Sequence, residues 1–432
     1  MGLGHPLGRG QQRRPVQPGV AQQCVATARL GRALSLSARA RPASSRILTP
    51  KKHDPLTAVP TTTPSPMQRA LGLARQALWL TSPNPRVGCV ITAPDGAVLG
   101  EGHTQRAGGP HAEIMALRDA AARGHAVHGA TAWVTLEPCA HQGRTGPCCD
   151  ALAAAGIGRV VAAISDPNPQ VAGQGLARLQ AAGALVQVLP TSDPLAAEAR
   201  ELNIGFFSRM ERGLPWVRMK IAASIDGQTA LANGQSQWIT GPEARADGHA
   251  WRARACAILT GIGTVLEDDP QLTVRGLDAP RQPHLVVVDS RLDLPLNAKL
   301  LNTLGSGDQA RQIWVYTATT ENAEKRAELT ARGVQVIDCA GPGGKVDLAA
   351  LLHDLARREV NELHVEAGFK LNGSFMREGL VDEWLLYMAP QWLGPGQGMA
   401  NLPAIAQLDD ALKLHFHAVD RVGQDVRFLL RR

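Results

Sequence analysis

The chain has 432 residues, 44% of them hydrophobic and 19% charged, which is enough apolar material for two or three domains. No stretch approaches 18 uninterrupted apolar residues, so no transmembrane helix is predicted. Seven cysteines are too few for a disulfide scaffold, and the formal charge of +7 is not spread over the whole chain.

The first 66 residues differ from the rest in charge and composition. They hold ten of the 45 Lys and Arg residues and a single acid, Asp54, which leaves 35 basic and 37 acidic residues for the remainder. The segment is rich in Arg, Pro, Gln, Ser and Thr and lacks hydrophobic periodicity, which predicts a disordered basic extension. This composition is typical of an organellar transit peptide, but it also fits an inert tail upstream of a start at Met67. We therefore expect a cytoplasmic protein, with an organellar location as the alternative.

From Met67 to about residue 210, helix and strand patterns alternate. The predicted helices are Met67–Leu80, Glu113–Arg123, Cys148–Ala155 and Leu195–Met210. The predicted strands are Val87–Ile91, Ala97–Gly102, Ala132–Leu136 and Arg159–Ile164. This alternation predicts an α/β sandwich.

The alternation restarts after residue 215, which indicates a second α/β domain. Its predicted helices and strands are Trp216–Ala222, Pro242–Arg254, Ala257–Leu259, His284–Val288, Gln312–Tyr316, Leu348–Arg358, Glu362–Val365 and Glu383–Ala389. The predicted domains are therefore residues 67–211 and 212–432, after the extension at 1–66.

The strongest chemical signal is a metal-ligand pattern in the first domain. His111 and Glu113 form a His-x-Glu run, followed by Cys139 and Cys148, each directly after a proline. One imidazole and two thiolates match the protein ligands of a catalytic zinc site, in which water takes the fourth position. His111 and Glu113 are predicted to open a helix, Cys139 to end a strand, and Cys148 to begin a helix whose dipole favours a thiolate. Glu113 is the predicted proton shuttle from that water to a leaving amine, as in zinc deaminases that act on nucleobases.

Eight residues separate the two cysteines, whereas deaminases of cytidine or of tRNA adenosine usually have two. The run Pro-Cys-x-His-x-Gly-x-Thr-x-Pro-Cys at 138–148, with Pro-Asn-Pro-Arg at 83–86 and Asp-Pro-Asn-Pro at 166–169, closely resembles the pyrimidine deaminase of riboflavin biosynthesis. The second half is similar to the partner reductase of that pathway. Residues 67–432 therefore resemble the bifunctional deaminase–reductase family.

This resemblance implies a cytidine-deaminase-like α/β/α sandwich followed by a dihydrofolate-reductase-like α/β domain. It implies hydrolytic deamination of 2,5-diamino-6-(5-phosphoribosylamino)pyrimidin-4(3H)-one to 5-amino-6-(5-phosphoribosylamino)uracil, then NADPH-dependent reduction of the ribosyl group to ribityl. The implied cofactors are one zinc ion per chain and NADPH. The implied partner is a small pyrimidine ribotide rather than a nucleic acid or a membrane, and the enzyme is expected to be a homo-oligomer.

The resemblance also implies specific contacts. In the deaminase half it places Asn84, His103 and His141 against the substrate, and the prolines on both sides of Asn84 suit a rigidly presented amide. The residues matched to the NADPH site are Ala222, Trp238, Thr264, Asp268, Ser290, Gly368, Phe369, Lys370, Leu371, Asn372, Gly373 and Ser374. The residues matched to the reductase substrate are Ser236, Arg252, Leu272, Arg275 and Glu366. Guanidinium groups suit a phosphorylated ribose because they pair with phosphate in bidentate geometry.

Two other functions stay open at this point. One is a deaminase whose second half only binds or scaffolds; the motif residues retained there argue against it, namely Lys220, Trp238, Asp268, Arg275 and Glu366. The other is an RNA-binding or RNA-editing protein that uses the basic extension. The cysteine spacing and the nearly neutral body argue against that class.

Overall fold

The structure, a computed structural model, describes residues 63–140, 146–169, 172–305 and 310–432, so most of the predicted extension lies outside the described residues. Helix α1, Pro66–Gln76, begins one residue before the predicted start at Met67. Its start is fixed by Ser65, whose Oγ accepts from the backbone N–H of Gln68 while its own N–H donates to the Gln68 side chain. Ser65 and Pro66, the last residues of the predicted extension, therefore already belong to the folded domain.

The first sheet contains five strands. They are β1 (Gly88–Thr92), β2 (Val98–His103), β3 (Thr131–Val134), β4 (Arg159–Ala162) and β5 (Leu185–Val188). Their order is β2-β1-β3-β4-β5, with β1 antiparallel to both neighbours and the last three strands parallel. One face is covered by α2 (Ala112–Ala122), α3 (Cys148–Ala154) and α4 (Gln174–Ala181), and the other by α1 and α5 (Pro194–Leu202). The predicted α/β/α sandwich is confirmed.

The prediction of one helix over Leu195–Met210 is wrong, because the chain forms two helices, α5 and α6 (Ile204–Arg212), that meet at Asn203. The Asn203 side chain accepts from the backbone N–H of Arg86 at 2.7 Å and donates to the Arg86 carbonyl at 3.0 Å. An asparagine that bonds to a distant backbone segment competes with the helical pattern at its own position.

Helix α6 packs on both halves of the molecule. Phe206 and Phe207 belong to the core of the first sheet. On another side, a Cβ on Gly205 would lie 2.5 Å from the carbonyl oxygen of Asn361, so only glycine permits this approach to the second half. The predicted boundary between residues 211 and 212 falls in the last turn of α6 and stays a prediction.

The second sheet contains nine strands. They are β6 (Trp216–Ser224), β8 (Ala257–Gly261), β9 (His284–Val288), β10 (Ile313–Thr317), β11 (Gln335–Asp338), β12 (Glu362–Val365), β13 (Glu383–Ala389), β15 (His415–Val422) and β16 (Asp425–Arg431), and β7 (Ala230–Leu231) pairs separately with β14 (Gly396–Gln397). The order is β11-β10-β9-β8-β12-β6-β13-β16-β15. The first seven strands are parallel, and the β15–β16 hairpin adds antiparallel to β13.

Helices cover both faces of this second sheet. On one face lie α7 (Pro242–Arg254), α8 (Ile262–Asp268) and α9 (Ala323–Ala331), and on the other lie α10 (Leu348–Arg357) and α11 (Phe369–Arg377). Short 3-10 helices lie at Lys299–Thr303, Pro342–Gly344 and Leu408–Asp410. None of the described helices is long and apolar enough to cross a membrane.

Because the central strands are parallel, their carboxyl ends lie along one edge of the second sheet. The residues at or just beyond these ends include Ala222, Gly261, Ser290 and Glu366, from β6, β8, β9 and β12. Segments that are far apart in the sequence therefore meet at this edge.

Candidate functional site

The three predicted metal ligands converge at one end of the five-stranded sheet. Nδ1 of His111 lies 3.6 Å from Sγ of Cys139 and 3.4 Å from Sγ of Cys148, and the three ligand atoms lie within 4.8 Å of one another. In a tetrahedral site with Zn–N of about 2.0–2.1 Å and Zn–S of about 2.3 Å, nitrogen and sulfur ligands are about 3.6 Å apart. The three side chains therefore fit one zinc ion, with Nδ1 of His111 facing the two sulfurs.

A different element positions each ligand. His111 is the N-cap of α2, and Cys148 is the first residue of α3, directly after Pro147. The prediction that Cys139 ends a strand is wrong, because β3 ends at Val134. Cys139 lies in the segment that follows, where its sulfur accepts from the backbone N–H of Cys148 at 3.3 Å.

The charges of this cluster favour a cation. Hydrogen bonding from Cys148, helped by His111, lowers the pKa of the Cys139 thiol to about 4. The same contact raises the pKa of Cys148 far above its ordinary value, because a second thiolate would lie against the first. A cation between the two sulfurs would favour the thiolate form of both, which is the chemical argument for a metal at this point.

Glu113 is almost completely buried in the first turn of α2. Burial raises the pKa of Glu113 to about 7, and the Cys139 sulfur adds to that rise. A carboxyl group poised in this way can both take up and return a proton. The helix that carries it is held close to β2, since a Cβ on Gly102 would lie 2.4 Å from Cβ of Met115.

Asn84 and His103 lie at the same end of this sheet as the metal ligands. Gly88, at the start of β1, pairs with His103 at the end of β2, and the turn that carries Asn84 directly precedes β1. Since β3 is antiparallel to β1, the segment with Cys139 leaves the sheet at this end too. Burial lowers the pKa of His103, which favours a neutral imidazole. The third predicted contact, His141, lies outside the described residues.

The sequence analysis missed Glu137, two residues before Cys139. Its buried carboxylate accepts from the backbone N–H of Asp166 at 3.2 Å and of Gly175 at 3.1 Å. A Cβ on Gly175 would lie 1.9 Å from the carbonyl oxygen of Pro138, so the start of α4 packs directly against the ligand segment. Glu137 thereby fixes the position of Cys139. The available signal was an acidic residue directly after a buried strand.

The second predicted site is a single cavity of about 1320 Å³ at the carboxyl edge of the nine-stranded sheet. All five residues predicted to contact the reductase substrate line it, namely Ser236, Arg252, Leu272, Arg275 and Glu366. Seven of the residues predicted to contact NADPH line it too: Ala222, Trp238, Thr264, Asp268, Gly368, Phe369 and Asn372. Its volume exceeds the range of about 300–1,000 Å³ typical of one small ligand, so it has room for a dinucleotide beside a ribotide.

Five other predicted NADPH contacts do not line this cavity: Ser290, Lys370, Leu371, Gly373 and Ser374. Four of these five residues lie within a helix, because Gly368 is the N-cap of α11 and the helix begins at Phe369. Only every third or fourth residue of a helix faces one side, so the intervening side chains point elsewhere. Leu371 packs on the sheet core, and Oγ of Ser290 accepts from the backbone N–H of Val346 at 3.1 Å.

Arg252 and Glu366 form a bidentate ion pair in the cavity wall. Nε of Arg252 lies 2.5 Å from Oε1 and Nη2 lies 2.8 Å from Oε2 of the carboxylate. Burial by itself raises the pKa of Glu366, but Arg252 holds it well below its usual range. The Arg252 charge is therefore already balanced within the protein.

Arg275 and Arg245 differ from Arg252 in their partners. Arg275 donates to Oγ1 of Thr273 at 3.1 Å, and Arg245 donates to the carbonyl of Thr240 at 2.7 Å. These are neutral oxygen atoms, so both guanidinium groups keep their charge available to an anion in the cavity they line.

The sequence analysis assigned no contact to Lys220, which lines the same cavity from β6. Burial lowers the pKa of Lys220, although Glu366 opposes that change. An ammonium group with a lowered pKa is a suitable proton donor near neutral pH. The available signal was a lysine on a strand that is mostly apolar.

Comparisons with known proteins match both halves of the chain. Residues 61–164 match the cytidine and deoxycytidylate deaminase zinc-binding region, and residues 215–428 match the RibD C-terminal domain. The riboflavin biosynthesis protein RibD of Escherichia coli K12 is 44% identical over 373 residues, covering 83% of this chain and 96% of that protein. RibD of Aquifex aeolicus is 39% identical over 366 residues, with coverage of 85% and 97%.

Two solved structures extend this similarity. Acinetobacter baumannii RibD (form 1) superimposes with a TM-score of 0.76 at 40% identity, covering 85% of this chain and 97% of that one. A diaminohydroxyphosphoribosylaminopyrimidine deaminase/5-amino-6-(5-phosphoribosylamino)uracil reductase from Thermotoga maritima gives a TM-score of 0.72 at 29% identity, with the same coverage.

The fold and the two sites define a bifunctional enzyme in which a zinc-dependent deaminase domain precedes a reductase domain of the dihydrofolate-reductase-like fold. The predicted fold class is confirmed. The chain belongs to the RibD family of riboflavin-biosynthesis enzymes. It carries the deaminase and reductase activities of that pathway, and the predicted cofactors, zinc and NADPH, belong to these two domains.

Proposed function

We propose that this chain hydrolyses 2,5-diamino-6-(5-phosphoribosylamino)pyrimidin-4(3H)-one to 5-amino-6-(5-phosphoribosylamino)uracil and then reduces the ribosyl group of that product to ribityl with NADPH. The observation that carries the proposal is the pairing, in one chain, of the His111, Cys139 and Cys148 cluster beside buried Glu113 with a cavity of about 1320 Å³.

In the deaminase half, we assign His111, Cys139 and Cys148 as the ligands of one zinc ion and Glu113 as the proton shuttle. Zinc, when bound, supplies a Lewis acid that lowers the pKa of a water molecule towards about 7. Glu113 takes the proton of that water at its carboxylate and delivers it to the departing amino group. The amide of Asn84 and the imidazoles of His103 and His141 are the proposed contacts to the pyrimidine. Each offers hydrogen-bonding groups suited to the edge of a base.

In the reductase half, the reaction breaks the bond between C1 and the ring oxygen of the ribose, forms a C–H bond at C1 and protonates the released oxygen. NADPH, when bound, supplies the hydride. We propose that Lys220 supplies the proton, because it lines the cavity and burial lowers its pKa. Glu366, held by Arg252, accepts a hydrogen bond from a ribose hydroxyl.

The proposed NADPH contacts are the predicted residues that line the cavity, namely Ala222, Trp238, Thr264, Asp268, Gly368, Phe369 and Asn372. The other predicted NADPH contacts support the site without lining the cavity. Helix α11 supports Phe369 and Asn372 and includes Lys370, Leu371, Gly373 and Ser374. Ser290 lies just after β9, at the same edge of the sheet. Ser236 and Leu272 are the proposed neutral contacts to the ribotide. Arg275 is the proposed phosphate anchor, with Arg245 beside it, because both guanidinium groups contact neutral oxygens.

We further propose that the enzyme is a cytoplasmic homo-oligomer. Strand β15 is an edge of the nine-stranded sheet, and the apolar residues on and before it are exposed, namely Leu402, Ile405, Leu408, Leu412, Phe416 and Val419. An apolar sheet edge of this kind suits a second copy of the chain. The six cysteines among the described residues are all unpaired, which suits a reducing compartment such as the cytoplasm. An organellar location would depend on the extension, which lies outside the described residues up to residue 62.

The decisive experiment is to incubate the purified full chain with the diaminopyrimidine ribotide, with and without NADPH, and to identify the products by mass spectrometry. Without NADPH we expect ammonia and the ribosylaminouracil phosphate, and with NADPH the ribityl compound. A product that stays ribosylated in the presence of NADPH would support a deaminase whose second half only binds. A failure to release ammonia would contradict the deaminase assignment.

A further inference from the structure

Strand β12 presents a row of ionisable side chains on one face. Glu362, His364 and Glu366 are spaced two residues apart, in or just after the strand, so their side chains point to the same side. The intervening Leu363 and Val365 pack into the core on the opposite side. The row begins at the interface with the deaminase domain, where Glu362 lies, and ends in the wall of the reductase cavity at Glu366.

His364, in the middle of this row, is fully buried and neutral. Burial lowers its pKa more than the neighbouring Glu366 raises it. A neutral imidazole has one N–H donor and one acceptor nitrogen. Nε2 of His364 lies 3.4 Å from Oε1 of Glu366, a contact at the long limit of hydrogen bonding, and neither ring nitrogen has an aligned hydrogen-bond partner among the described residues. Because a buried N–H without a partner is unfavourable, the Nε2–H tautomer facing Glu366 is favoured over the Nδ1–H tautomer.

Glu366 is therefore approached by nitrogen atoms from two different elements. Arg252 on α7 binds both carboxylate oxygens as a fork, and His364 reaches Oε1 from within β12. Nη1 of Arg252 also donates to the carbonyl of Thr273 at 3.0 Å, so this guanidinium group holds the carboxylate from the α7 side. The His364 imidazole is held in place by the sheet, so it limits the position of the Glu366 carboxylate from the β12 side.

We propose that His364 is a positioning residue of the reductase: its Nε2–H holds the Glu366 carboxylate so that the remaining acceptor sites of that group face the ribose hydroxyls of the substrate. This inference rests on the proposed role of Glu366. His364 itself does not line the cavity, so its effect on the reaction passes through Glu366.

Two substitutions separate hydrogen bonding from packing. His364→Gln keeps an N–H donor at a similar distance from the backbone, whereas His364→Met fills the space without one. In the full chain with saturating NADPH, we expect the Met variant to raise the reductase KM for the ribosylaminouracil phosphate roughly five- to tenfold, as loss of one ordinary hydrogen bond predicts. We expect the Gln variant to stay within about twofold of wild type, since it restores the donor. The NADPH dissociation constant and the deaminase rate should not change in either variant.

A double-substitution test links the effect to Glu366. In a Glu366→Gln background, His364→Met should cause no further rise in KM, because the two act through one contact. A His364→Met variant with the wild-type KM, or a His364→Gln variant as impaired as His364→Met, would overturn the inference.

If the His364→Met variant does not fold, the tautomer of His364 in the wild type tests the inference instead. It would be measured by long-range proton–nitrogen NMR of histidine-labelled protein. The Nε2–H form supports the inference and the Nδ1–H form refutes it. A wild-type chain without reductase activity would instead refute the proposed function.

Discussion

Arg86 of the deaminase domain donates through Nη1 to Oε1 of Glu362 in strand β12 of the reductase domain, at 2.5 Å. Glu362 is fully buried and also binds Arg218 at 2.9 Å and Arg254 at 2.7 Å. Arg86 follows the turn that carries Asn84, so the proposed base-binding segment of one site is fixed directly to the central sheet of the other domain. The two domains therefore share a buried charged interface.

Removing the shared carboxylate should destabilise the whole chain. In Glu362→Gln three guanidinium groups lose this anion, although Arg218 keeps its contact with Glu383, and breaking a buried ion pair typically costs about 3–5 kcal/mol. Urea denaturation followed by circular dichroism would measure the loss in the free energy of unfolding. Glu211→Gln is the matched control, since Glu211 forms an exposed pair with Arg200 at 2.6 Å, and should change stability by less than about 1 kcal/mol. Equal effects of the two substitutions would contradict the role of Glu362.

The Glu362 carboxyl group should make the free energy of unfolding depend on pH in the acidic range. Burial alone would raise the pKa of Glu362, but Arg254, Arg86 and Arg218 hold it well below its usual range. A folded pKa below the unfolded value of about 4.3 adds stability above that pH, and this stability is lost as the pH falls towards the folded pKa. Between pH 5 and lower values, the free energy of unfolding should fall more steeply in wild type than in Glu362→Gln. Parallel curves would show that this carboxyl does not titrate as inferred.

Zinc binding should depend on Cys148 and not on the neighbouring thiol of Cys149. Cys148→Ala removes one of three ligands, so metal analysis of the purified protein should show zinc lost or held much more weakly. Cys149→Ala is the matched control, because burial raises the pKa of that thiol to about 11 and its side chain packs in the core. Full zinc retention in Cys148→Ala would remove Cys148 from the ligand set.

Glu113→Gln should abolish most deamination while leaving zinc and the fold in place. The amide occupies the same space but cannot take up a proton, and loss of a general acid–base group typically costs about 10²–10⁴-fold in rate. Ammonia release would be measured with the diaminopyrimidine ribotide. Reduction of substrate that has already been deaminated serves as the internal control and should be unchanged. Deamination at the wild-type rate would exclude Glu113 as the shuttle.

Arg275→Ala should weaken binding of the reductase substrate and leave NADPH binding largely intact. A charge-assisted contact to an anion contributes about 1.5–3 kcal/mol, so the substrate KM should rise by roughly one to two decades. Steady-state kinetics with each substrate varied in turn would separate the two effects. Arg291→Ala is the control, because Arg291 is exposed and pairs with Asp293 outside the cavity. If the affinity for NADPH falls and that for the ribotide does not, Arg275 lies on the cofactor side.

Strongly periodic elements could be predicted closely from the sequence. Pro242–Arg254, His284–Val288, Glu362–Val365 and Glu383–Ala389 have the predicted bounds. Some of the elements that were not predicted are short and exposed, such as the edge strand Leu185–Val188, whose side chains lack a regular apolar alternation. The break between helices α5 and α6 could not be predicted for another reason. The Asn203 side chain accepts from the backbone N–H of Arg86, which lies more than a hundred residues away in the sequence.

The proposed metal ligands of the deaminase could be predicted because the types of residue and their order along the chain are enough to indicate the chemistry. A histidine, a glutamate and two cysteines, each cysteine after a proline, indicate zinc chemistry before their positions are known. The reductase contacts relied on resemblance. Helix α11 shows the limit of that method, since a run of seven residues contributes only three side chains or backbone segments to the cavity.

The sequence by itself determined the fold class, the residue types for zinc and proton transfer, and the family resemblance of residues 67–432, because hydrophobic period and motif spacing are properties of the chain. Only the tertiary structure decided which charges are already paired. Arg252 and Arg275 look alike in the sequence, yet one is balanced by Glu366 and the other faces the cavity next to a neutral hydroxyl. The position of Glu362 between Arg86, Arg218 and Arg254 was likewise decided there. Ion pairing depends on distances between side chains that are far apart in the sequence, and no local pattern encodes those distances.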